Sequence, residues 1–366
     1  MGRVFFIKIL REEGKMKKYL ILLSVLIFFI PFAIFAEGEK AEEKPMVDEG
    51  NELVVYTSLE TDETEEYITA AEAATGLEIN WTRFSTGVVG AKLLAERQNP
   101  QADVVYGWAV TYLMDFTQRG FFEPYKPKDG DKIPTRFKDP DDYWYAIDLY
   151  LAAFCVNTEK LKEYNLPMPK SWRDLTNPVY QGHLIMPNPA SSGTGFLQVA
   201  GVLETMDSGY KTKPVADNEG WKFLEELDKN MGQYIKSGSR PAKYAAAGEY
   251  VIGASFAFVI ANLKKEGKPV EMVLPAEGSA YELEANALMK GAKHPNNGKK
   301  FLDWAISDEA MRLYAKWKIG VTKPGIPPGR DDLPRLESIK LIPMDFDWQA
   351  ANRGDILITW QDKFLR

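Results

Sequence analysis

Segments with the apolar pattern of a β-strand alternate with segments of helical apolar spacing in the first part of the chain. This pattern predicts strands and helices in turn. The continuous apolar run at 53–56 is typical of a strand buried in a parallel sheet, and residues 77–83 alternate like a second strand. A helical pattern between them ends at Gly76, and a third apolar strand is predicted at 103–106. The order is βαβαβ, and sheets of this kind bind ligands beyond the carboxyl ends of their strands.

The stretch 188–195, with the sequence Asn-Pro-Ala-Ser-Ser-Gly-Thr-Gly, lies between a predicted strand at 184–186 and an apolar helix. The N–H groups in the first turn of a helix lack intrahelical partners and carry the positive end of the helix dipole. This favours an oxyanion there, and Gly193 lets a ligand approach the backbone closely. Ser191 or Ser192 would cap the helix. An ordinary capped helix explains the same residues, so both interpretations stay open.

The second part of the chain carries further strand and helix patterns. An apolar run that starts near Trp144 is predicted to cross into a second domain. Amphipathic helices are predicted at 219–233 and 299–317 from the helical spacing of their apolar residues. The shorter predicted elements are a capped helix at 171–175 and strands at 248–256 and 272–275.

Residues 1–36 have the pattern of a signal peptide rather than of a folded element. A basic segment precedes a nearly apolar run at 19–35, and Ala36 offers a small residue for cleavage. Met16 is an alternative start. A retained membrane anchor is the alternative interpretation, because the run is about long enough to span a bilayer. The acidic residues 37–50 indicate a flexible tether, and the expected location is the periplasm.

Composition narrows the class of protein. Without residues 1–36, which carry six Lys or Arg and two Asp or Glu, the chain has 330 residues and a formal net charge of −11. This length predicts two domains of ordinary size, and an acidic chain is a poor candidate for binding nucleic acid. Cys155 is the only cysteine, so no disulfide can form within the chain. Its apolar neighbours predict a buried side chain and not a nucleophile.

Several segments resemble the periplasmic solute-binding proteins of ABC transporters, of the ferric-iron-binding type. Within that group the chain is most similar to the branch that binds phosphorylated sugars and phosphonates. The stretch 188–195 is the most specific match, and the resemblance extends from residue 53 to about 320. The other matching segments are 56–58, 85–87, 99–105, 248–249, 253–256 and 275–278.

The resemblance implies an α/β fold of two lobes, a periplasmic binding protein of type II. Each lobe would be a central sheet flanked by helices, with the ligand in the cleft between the lobes. We expect 51–147 and 284–366, including the C-terminal helices, to form the first lobe and 148–283 to form the second. A hinge is expected near 148–151 and near 275–284.

The resemblance also implies a function. The chain would capture a small anionic solute, such as a hexose phosphate or 2-aminoethylphosphonate, and deliver it to an inner-membrane ABC permease with its ATPase. We expect a monomer that is not an enzyme, needs no cofactor and binds no nucleic acid.

Ferric iron is the alternative ligand. Iron-binding relatives carry adjacent tyrosines where this chain has Phe256 and Phe258, and ferric iron needs anionic oxygen ligands. Iron is therefore disfavoured. No metal site is expected, since the only histidines are His183 and His294.

The predicted ligand-binding residues lie at strand ends, helix starts and domain crossings. Hydroxyls and backbone N–H groups in these loops can replace the hydration shell of a phosphate, although capping alone accounts for about half of them. Arg83 fits either a charge-assisted bond to the anion or an ordinary surface position. Trp108 fits a cavity wall or the core, and Asp148 and Glu282 fit ligand contacts or solvated hinge positions. The predicted set is Thr57, Ser58, Arg83, Ser85, Thr86, Gly87, Trp108, Asp148, Ser191, Ser192, Gly193, Thr194, Ser239, Ser255 and Glu282.

Two other classes of protein fit the sequence less well. An exported phosphate-ester hydrolase needs a nucleophile with a base, or a metal cluster. No serine has a recognisable histidine partner, and the Gly-x-Ser-x-Gly motif is absent. A surface adhesion protein would not require several loops that converge on an anion.

Overall fold

The computed structural model describes residues 49–365. The signal peptide predicted at 1–36, and the predicted tether up to residue 48, lie outside the described residues. Among the helices of 49–365, none has both the length and the apolar character needed to cross a membrane.

The described residues form a mixed sheet with helices on its faces. The strands are β1 (Glu52–Thr57), β2 (Glu78–Arg83), β3 (Val104–Ala109), β4 (Phe122–Glu123), β5 (Tyr145–Asn157), β6 (Leu184–Pro187), β7 (Met231–Ile235), β8 (Ile252–Phe256), β9 (Val270–Val273), β10 (Tyr281–Met289) and β11 (Gly320–Val321).

The helices connect these strands and close the C-terminus. They are α1 (Thr61–Thr75), α2 (Thr86–Ala95), α3 (Val110–Gln118), α4 (Thr158–Glu163), α5 (Gly193–Met206), α6 (Gly220–Asp228), α7 (Arg240–Ala247), α8 (Ala257–Lys265), α9 (Pro295–Ala305), α10 (Asp308–Tyr314), α11 (Phe346–Ala351) and α12 (Arg353–Phe364). Short 3-10 turns lie at Gly130–Lys132, Thr135–Phe137, Arg173–Thr176, Pro178–Tyr180, Tyr210–Thr212, Val215–Asp217 and Leu336–Ser338.

The first half of the sheet is built on parallel strands. β1 pairs in parallel with β2 and with β3, and α1 and α2 make the two crossovers between them. β10 returns antiparallel to β3 and joins the first half to β5. Leu53 and Val55 on β1 are fully buried, as expected for a parallel strand covered on both faces. The predicted βαβαβ order is confirmed.

β5 is a single buried strand that serves both halves of the sheet. Its residues up to Leu151 pair with β10, and its residues from Ala152 pair with β8. Cys155 lies on the second segment and is fully buried, as its apolar neighbours predict. The change of partners falls at the end of the predicted hinge region 148–151.

The second half of the sheet repeats the parallel arrangement. β6 pairs in parallel with β7 and with β8, while β9 pairs with β5. Phe154, Leu184 and Trp221 belong to the apolar core of this half. Ile356 and Trp360 of α12 are buried in the same core. α12 therefore packs against the second half, whereas the predicted first lobe includes it. The lobe boundaries given above stay a prediction.

Two of the predicted helices are wrong in extent. The helix predicted at 219–233 ends at Asp228, and the residues after it form β7. Asn230 fixes this change of direction, because its side-chain amide donates to the carbonyl oxygens of Leu175 and Asn177, both at 2.8 Å. The helix predicted at 299–317 is divided into α9 and α10.

The division of the second helix has a local cause. The side chain of Ser307 accepts a hydrogen bond from the N–H of Ala310 at 3.2 Å and caps a new helix there. The short helix predicted at 171–175 is instead a 3-10 turn at Arg173–Thr176, and the N–H of Asp174 within this turn donates a hydrogen bond to Ser171 Oγ at 3.0 Å.

Candidate ligand-binding site

A cavity lies at the carboxyl ends of the parallel strands of both halves of the sheet. The empty space among its lining residues, together with the open solvent that reaches it, is about 450 Å³. This is the position at which sheets of this kind bind ligands. The residues that line it are Ser58, Glu60, Glu63, Arg83, Ser85, Thr86, Ala109, Tyr150, Ser192, Thr194, Gly238, Phe256, Phe258 and Glu284.

Five helices begin at this cavity, because the residue that caps each of them is part of its lining. The capping residues are Glu60, Ser85, Ala109, Ser192 and Phe256 of α1, α2, α3, α5 and α8. The first N–H groups of a helix have no intrahelical acceptor and carry a partial positive charge. Such ends favour an anion at the cavity, but at α1 this position is already taken by the protein, since Glu63 Oε1 accepts a hydrogen bond from the N–H of Glu60 at 2.8 Å.

The stretch 188–195 is built as the sequence predicts. Ser192 caps α5, with its Oγ accepting a hydrogen bond from the N–H of Gly195 at 3.3 Å. Ser191 Oγ instead donates to the carbonyl oxygens of Asn188 and Lys236, at 3.3 and 3.1 Å. Ser192 and Thr194 therefore face the cavity, while Ser191 ties the loop to the end of β7.

The loops from the two halves of the sheet touch each other directly. The N–H of Gly87 donates to the carbonyl oxygen of Ser191 at 3.1 Å. A Cβ atom on Gly193 would lie 2.9 Å from Thr86 Oγ1, and one on Gly238 would lie 2.4 Å from Thr194 Oγ1. Both distances are shorter than real Cβ contacts, so glycine is required where the two halves meet at Gly193 and where two loops of the second half meet at Gly238.

The polar groups contributed by the first half are already held in place. Ser58 Oγ donates to the carbonyl oxygen of Gly107 at 2.8 Å, and Trp108 Nε1 donates to the carbonyl oxygen of Thr86 at 3.0 Å. Arg83 lies at the cavity, where its guanidinium binds Glu60 Oε1 at 2.7 Å and the carbonyl oxygen of Leu59 at 3.0 Å. Its positive charge is therefore paired with a carboxylate within the protein.

A buried ion cluster lies against the cavity. Lys318 Nζ is 2.8 Å from Glu63 Oε2 and 2.7 Å from Glu284 Oε2, and all three side chains are buried. Burial lowers the pKa of Lys318, but the charges of Glu284, Glu63 and Asp148 outweigh it and raise the pKa above the ordinary value.

Asp148 is the fourth member of this cluster. It is fully buried, and it sits opposite Glu284 in the pairing of β5 with β10. Burial, followed by the charge of Glu284, raises its pKa well above the ordinary value. Burial likewise raises the pKa of Glu63. Asp148 therefore holds its proton more strongly than an exposed aspartic acid does, and Lys318 lies beside the carboxylates of Glu63 and Glu284.

The second half supplies an aromatic wall. The ring of Tyr150 lies 5.6 Å from that of Phe256, which in turn lies 4.8 Å from that of Phe258. Burial, and then the charge of Glu282, raises the pKa of Tyr150 well above the ordinary value, so its hydroxyl stays protonated. Behind the wall, Ser255 Oγ donates to the carbonyl oxygen of Gly238 at 2.8 Å.

The structure brings some of the predicted residues to the cavity and places others behind it. Those at the cavity are Ser58, Arg83, Ser85, Thr86, Ser192 and Thr194. Those outside its lining are Thr57, Gly87, Trp108, Asp148, Ser191, Gly193, Ser239, Ser255 and Glu282. Asp148 and Glu282 are fully buried, which rules out solvated hinge positions for both. Glu282 Oε2 accepts a hydrogen bond from Thr111 Oγ1 at 2.9 Å.

Sequence reasoning missed several of the lining residues. They are Glu60, Glu63, Ala109, Tyr150, Gly238 and Glu284, together with Phe256 and Phe258, which were considered only as replacements for iron ligands. Tyr150 was accessible to prediction, because it lies two positions after Asp148 on one strand and so shares its face. Glu284 was not, since it comes close to Asp148 only through the pairing of two strands distant in sequence.

Metal-ligating groups are sparse in the described part of the chain. Residues 49–365 contain no group of three or more His, Cys, Asp or Glu side chains that could hold a metal ion. His294 Nδ1 lies 2.9 Å from Asp103 Oδ2, and His183 packs on the ring of Tyr164. Neither histidine lines the cavity.

Comparison with known proteins gives a family and several relatives. The model of the family described as bacterial extracellular solute-binding protein matches residues 99–345. An uncharacterised protein of Haemophilus influenzae is 36% identical over 273 residues, which cover 73% of this chain and 76% of that protein. A periplasmic protein of Salmonella typhimurium, named for 2-aminoethylphosphonate binding, is 26% identical over 254 residues, covering 68% of this chain and 70% of that protein.

A solved structure shares the whole fold. The periplasmic binding protein AfuA from Actinobacillus pleuropneumoniae, with fructose-6-phosphate bound, superposes with a TM-score of 0.80 and 30% sequence identity. The match covers 86% of this chain and 99% of the AfuA chain. The two-lobed architecture expected from the sequence is confirmed.

Proposed function

Since the chain belongs to the bacterial extracellular solute-binding proteins and is the binding component of an ABC importer, we propose that its ligand is a small organic phosphate or phosphonate. Proteins of this class work with a membrane permease and its ATPase. The chain would capture its solute in the periplasm, after removal of the predicted signal peptide, and deliver it as a monomer.

The convergence of five helix N-termini on one cavity carries this proposal. An oxyanion placed there would accept hydrogen bonds from backbone N–H groups and from the hydroxyls of Ser192 and Thr194. Ser85 and Thr86 would bind it from the other half, and Ser58 would join them by exchanging its hydrogen bond to the carbonyl oxygen of Gly107 for one to the ligand. Because both sets of bonds exist only when the loops meet, the ligand would favour the closed arrangement.

The relatives support a phosphorus oxyanion. AfuA was solved with a hexose phosphate, and the Salmonella protein is named for an aminophosphonate. The two ligands share a tetrahedral phosphorus group and differ in the rest of the molecule. The common group fits the Ser, Thr and N–H side of the cavity, and the aromatic wall of Tyr150, Phe256 and Phe258 would face the variable part.

Ferric iron is a poorer ligand for this cavity. The side chains at Phe256 and Phe258 provide no phenolate, and hard ferric iron requires anionic oxygen donors. We also infer that the solute leaves unchanged. The cavity lining contains no histidine or cysteine, so no serine in it has an imidazole base.

Mass spectrometry of the ligand released from purified, denatured protein tests the proposal directly. Titration calorimetry with fructose 6-phosphate, 2-aminoethylphosphonate, inorganic phosphate and fructose then ranks the candidates. At least one phosphorus compound should bind far more tightly than the neutral sugar. If fructose binds as tightly as its phosphate and no phosphonate binds, the proposed ligand class is wrong.

A further inference from the structure

Lys318 contacts three residues of the cavity wall from behind. Its ammonium group lies 2.8 Å from Glu63 and 2.7 Å from Glu284, and it sits 4.2 Å from the centre of the Phe258 ring. The side chain itself is completely buried. Glu63 belongs to α1, Glu284 to the connecting strand β10 and Phe258 to α8 of the second half. One buried cation thus reaches all three parts of the wall.

Without this lysine the cavity wall would carry two carboxylates that have no cation beside them. Three carboxylates line the cavity, at Glu60, Glu63 and Glu284, and the only cation among the lining residues is Arg83. Arg83 is bound to Glu60, so it offsets that carboxylate alone. Glu63 and Glu284 would leave a negative wall facing any anionic ligand. At the short distances and low dielectric of a buried site, such repulsion strongly weakens binding.

We propose that Lys318 determines the ligand charge that this cavity accepts, by offsetting one of the two negative charges of Glu63 and Glu284 and by holding Phe258 in the wall. The assignment rests on the proposed function, because it concerns the same anionic ligand. Lys318 is a positioning residue and does not touch the ligand. The contact with Phe258 also links Glu63 and Glu284 to the half of the sheet that carries Ser192 and Thr194.

Charge-balance variants separate this role from simple structural support. Lys318→Met should weaken binding of an anionic probe, either fructose 6-phosphate or 2-aminoethylphosphonate, by about ten- to a hundredfold. Lys318→Arg keeps the charge and should stay within about fivefold of the parent. The double variant Lys318→Met with Glu284→Gln removes one charge of each sign. It should recover most of the lost affinity, although it restores none of the lost contacts.

The single variant Glu284→Gln tests the assignment even if Lys318→Met fails to fold. Glu284→Gln leaves Lys318 paired with Glu63 and makes the wall less negative, so it should tighten binding of the same probe by about threefold or more. A merely structural glutamate would weaken binding when replaced. Thermal melting of every variant establishes that each is folded during calorimetry.

The outcomes are distinct. The assignment is supported if folded Lys318→Met binds the probe more weakly, the double variant recovers the affinity, and Glu284→Gln binds the probe more tightly than the parent protein. The assignment is overturned if Lys318→Met binds the probe as tightly as the parent protein does. It is also overturned if a folded double variant recovers no affinity and Glu284→Gln binds the probe more weakly. If the unmodified protein binds neither probe, the proposed ligand class fails first, and this inference falls with it.

Discussion

The backbone N–H of Gly87 donates a hydrogen bond to the carbonyl oxygen of Ser191 at 3.1 Å. Gly87 lies in the first turn of α2 in the first half of the sheet, and Ser191 belongs to the loop after β6 in the second half. The two loops that we propose to bind the oxyanion are therefore joined by the backbone itself. This contact places the hydroxyls of Thr86 and Thr194 at the same cavity.

We predict that Gly87→Ala weakens ligand binding by about tenfold or more. A Cβ atom at this position would lie 2.2 Å from the carbonyl oxygen of Ala190 and 2.9 Å from Ser191 Cα, so the loops could not meet. The ligand would lose hydrogen bonds from one side, each worth about 0.5–1.5 kcal/mol. Calorimetry measures the affinity, and small-angle scattering with and without ligand measures compaction.

Gly354→Ala is the matched control for this substitution. A Cβ atom on Gly354 has open space around it, and the residue lies in α12, outside the cavity lining. Its affinity should equal that of the parent protein. Parent-like affinity and compaction in Gly87→Ala would show that the Gly87–Ser191 contact is not required for binding.

The loop at 188–195 could be predicted because its signals are local. Strand, Ser-Gly loop and apolar helix follow one another along the chain, and each is fixed by its own residues. The loops after β1 and β2 were found for the same reason. Ser58, Ser85 and Thr86 all lie where the alternation of strand and helix places them.

The charged part of the cavity could not be predicted, because its residues meet only through the fold. Glu63, Glu284 and Lys318 are far apart in sequence and come together through the packing of α1 on the sheet and the pairing of β10 with β5. Hydrophobic spacing carries no information on such pairs. The same limit explains the error at β7, where pairing with β6 and the hydrogen bonds of Asn230 end a helix that spacing alone extends.

Thr194→Ala should weaken binding of the phosphorus-containing ligand by about five- to a hundredfold. The hydroxyl lies at the cavity on the first turn of α5, where a bond to a charged oxygen is worth up to about 3 kcal/mol. The thermal stability of the ligand-free protein should change little. Calorimetry gives the affinity, and scanning calorimetry without ligand gives the stability.

Thr69→Ala is the matched control, because Thr69 is exposed on α1 and its hydroxyl bonds only to the carbonyl oxygen of Glu65. It removes the same atoms far from the cavity lining and should leave the affinity unchanged. Equal affinities for Thr194→Ala and Thr69→Ala would exclude Thr194 as an anchor of the oxyanion.

Ferric iron should bind weakly or not at all. The cavity presents the phenyl rings of Phe256 and Phe258, and the buried Tyr150 keeps its hydroxyl protonated because burial raises its pKa well above the ordinary value. Adding ferric citrate to the purified protein should therefore produce no coloured complex. A stoichiometric charge-transfer band in the visible spectrum would reverse this assignment and identify a phenolate ligand.

Ionisation of Glu282 should make the free energy of unfolding depend on pH. Burial raises the pKa of this carboxyl to about 7, against about 4.3 in an unfolded chain. The folded state therefore binds more protons than the unfolded state between about pH 4.3 and pH 7. The contribution of Glu282 to the free energy of unfolding falls as pH rises through this window, by something on the order of 3 kcal/mol, and is constant above it.

Glu282→Gln resembles the neutral acid and should remove most of this decline. The free energy of unfolding, measured by urea at about pH 5 and about pH 7, should differ less in the variant than in the parent protein. Some decline should remain, because burial also raises the pKa of Glu204 to about 7 and raises the pKa values of Glu63 and Asp148. Glu309→Gln, on the exposed side of α10, is the control and should keep the full decline. A parent-like decline in Glu282→Gln would mean that Glu282 does not take up a proton on folding.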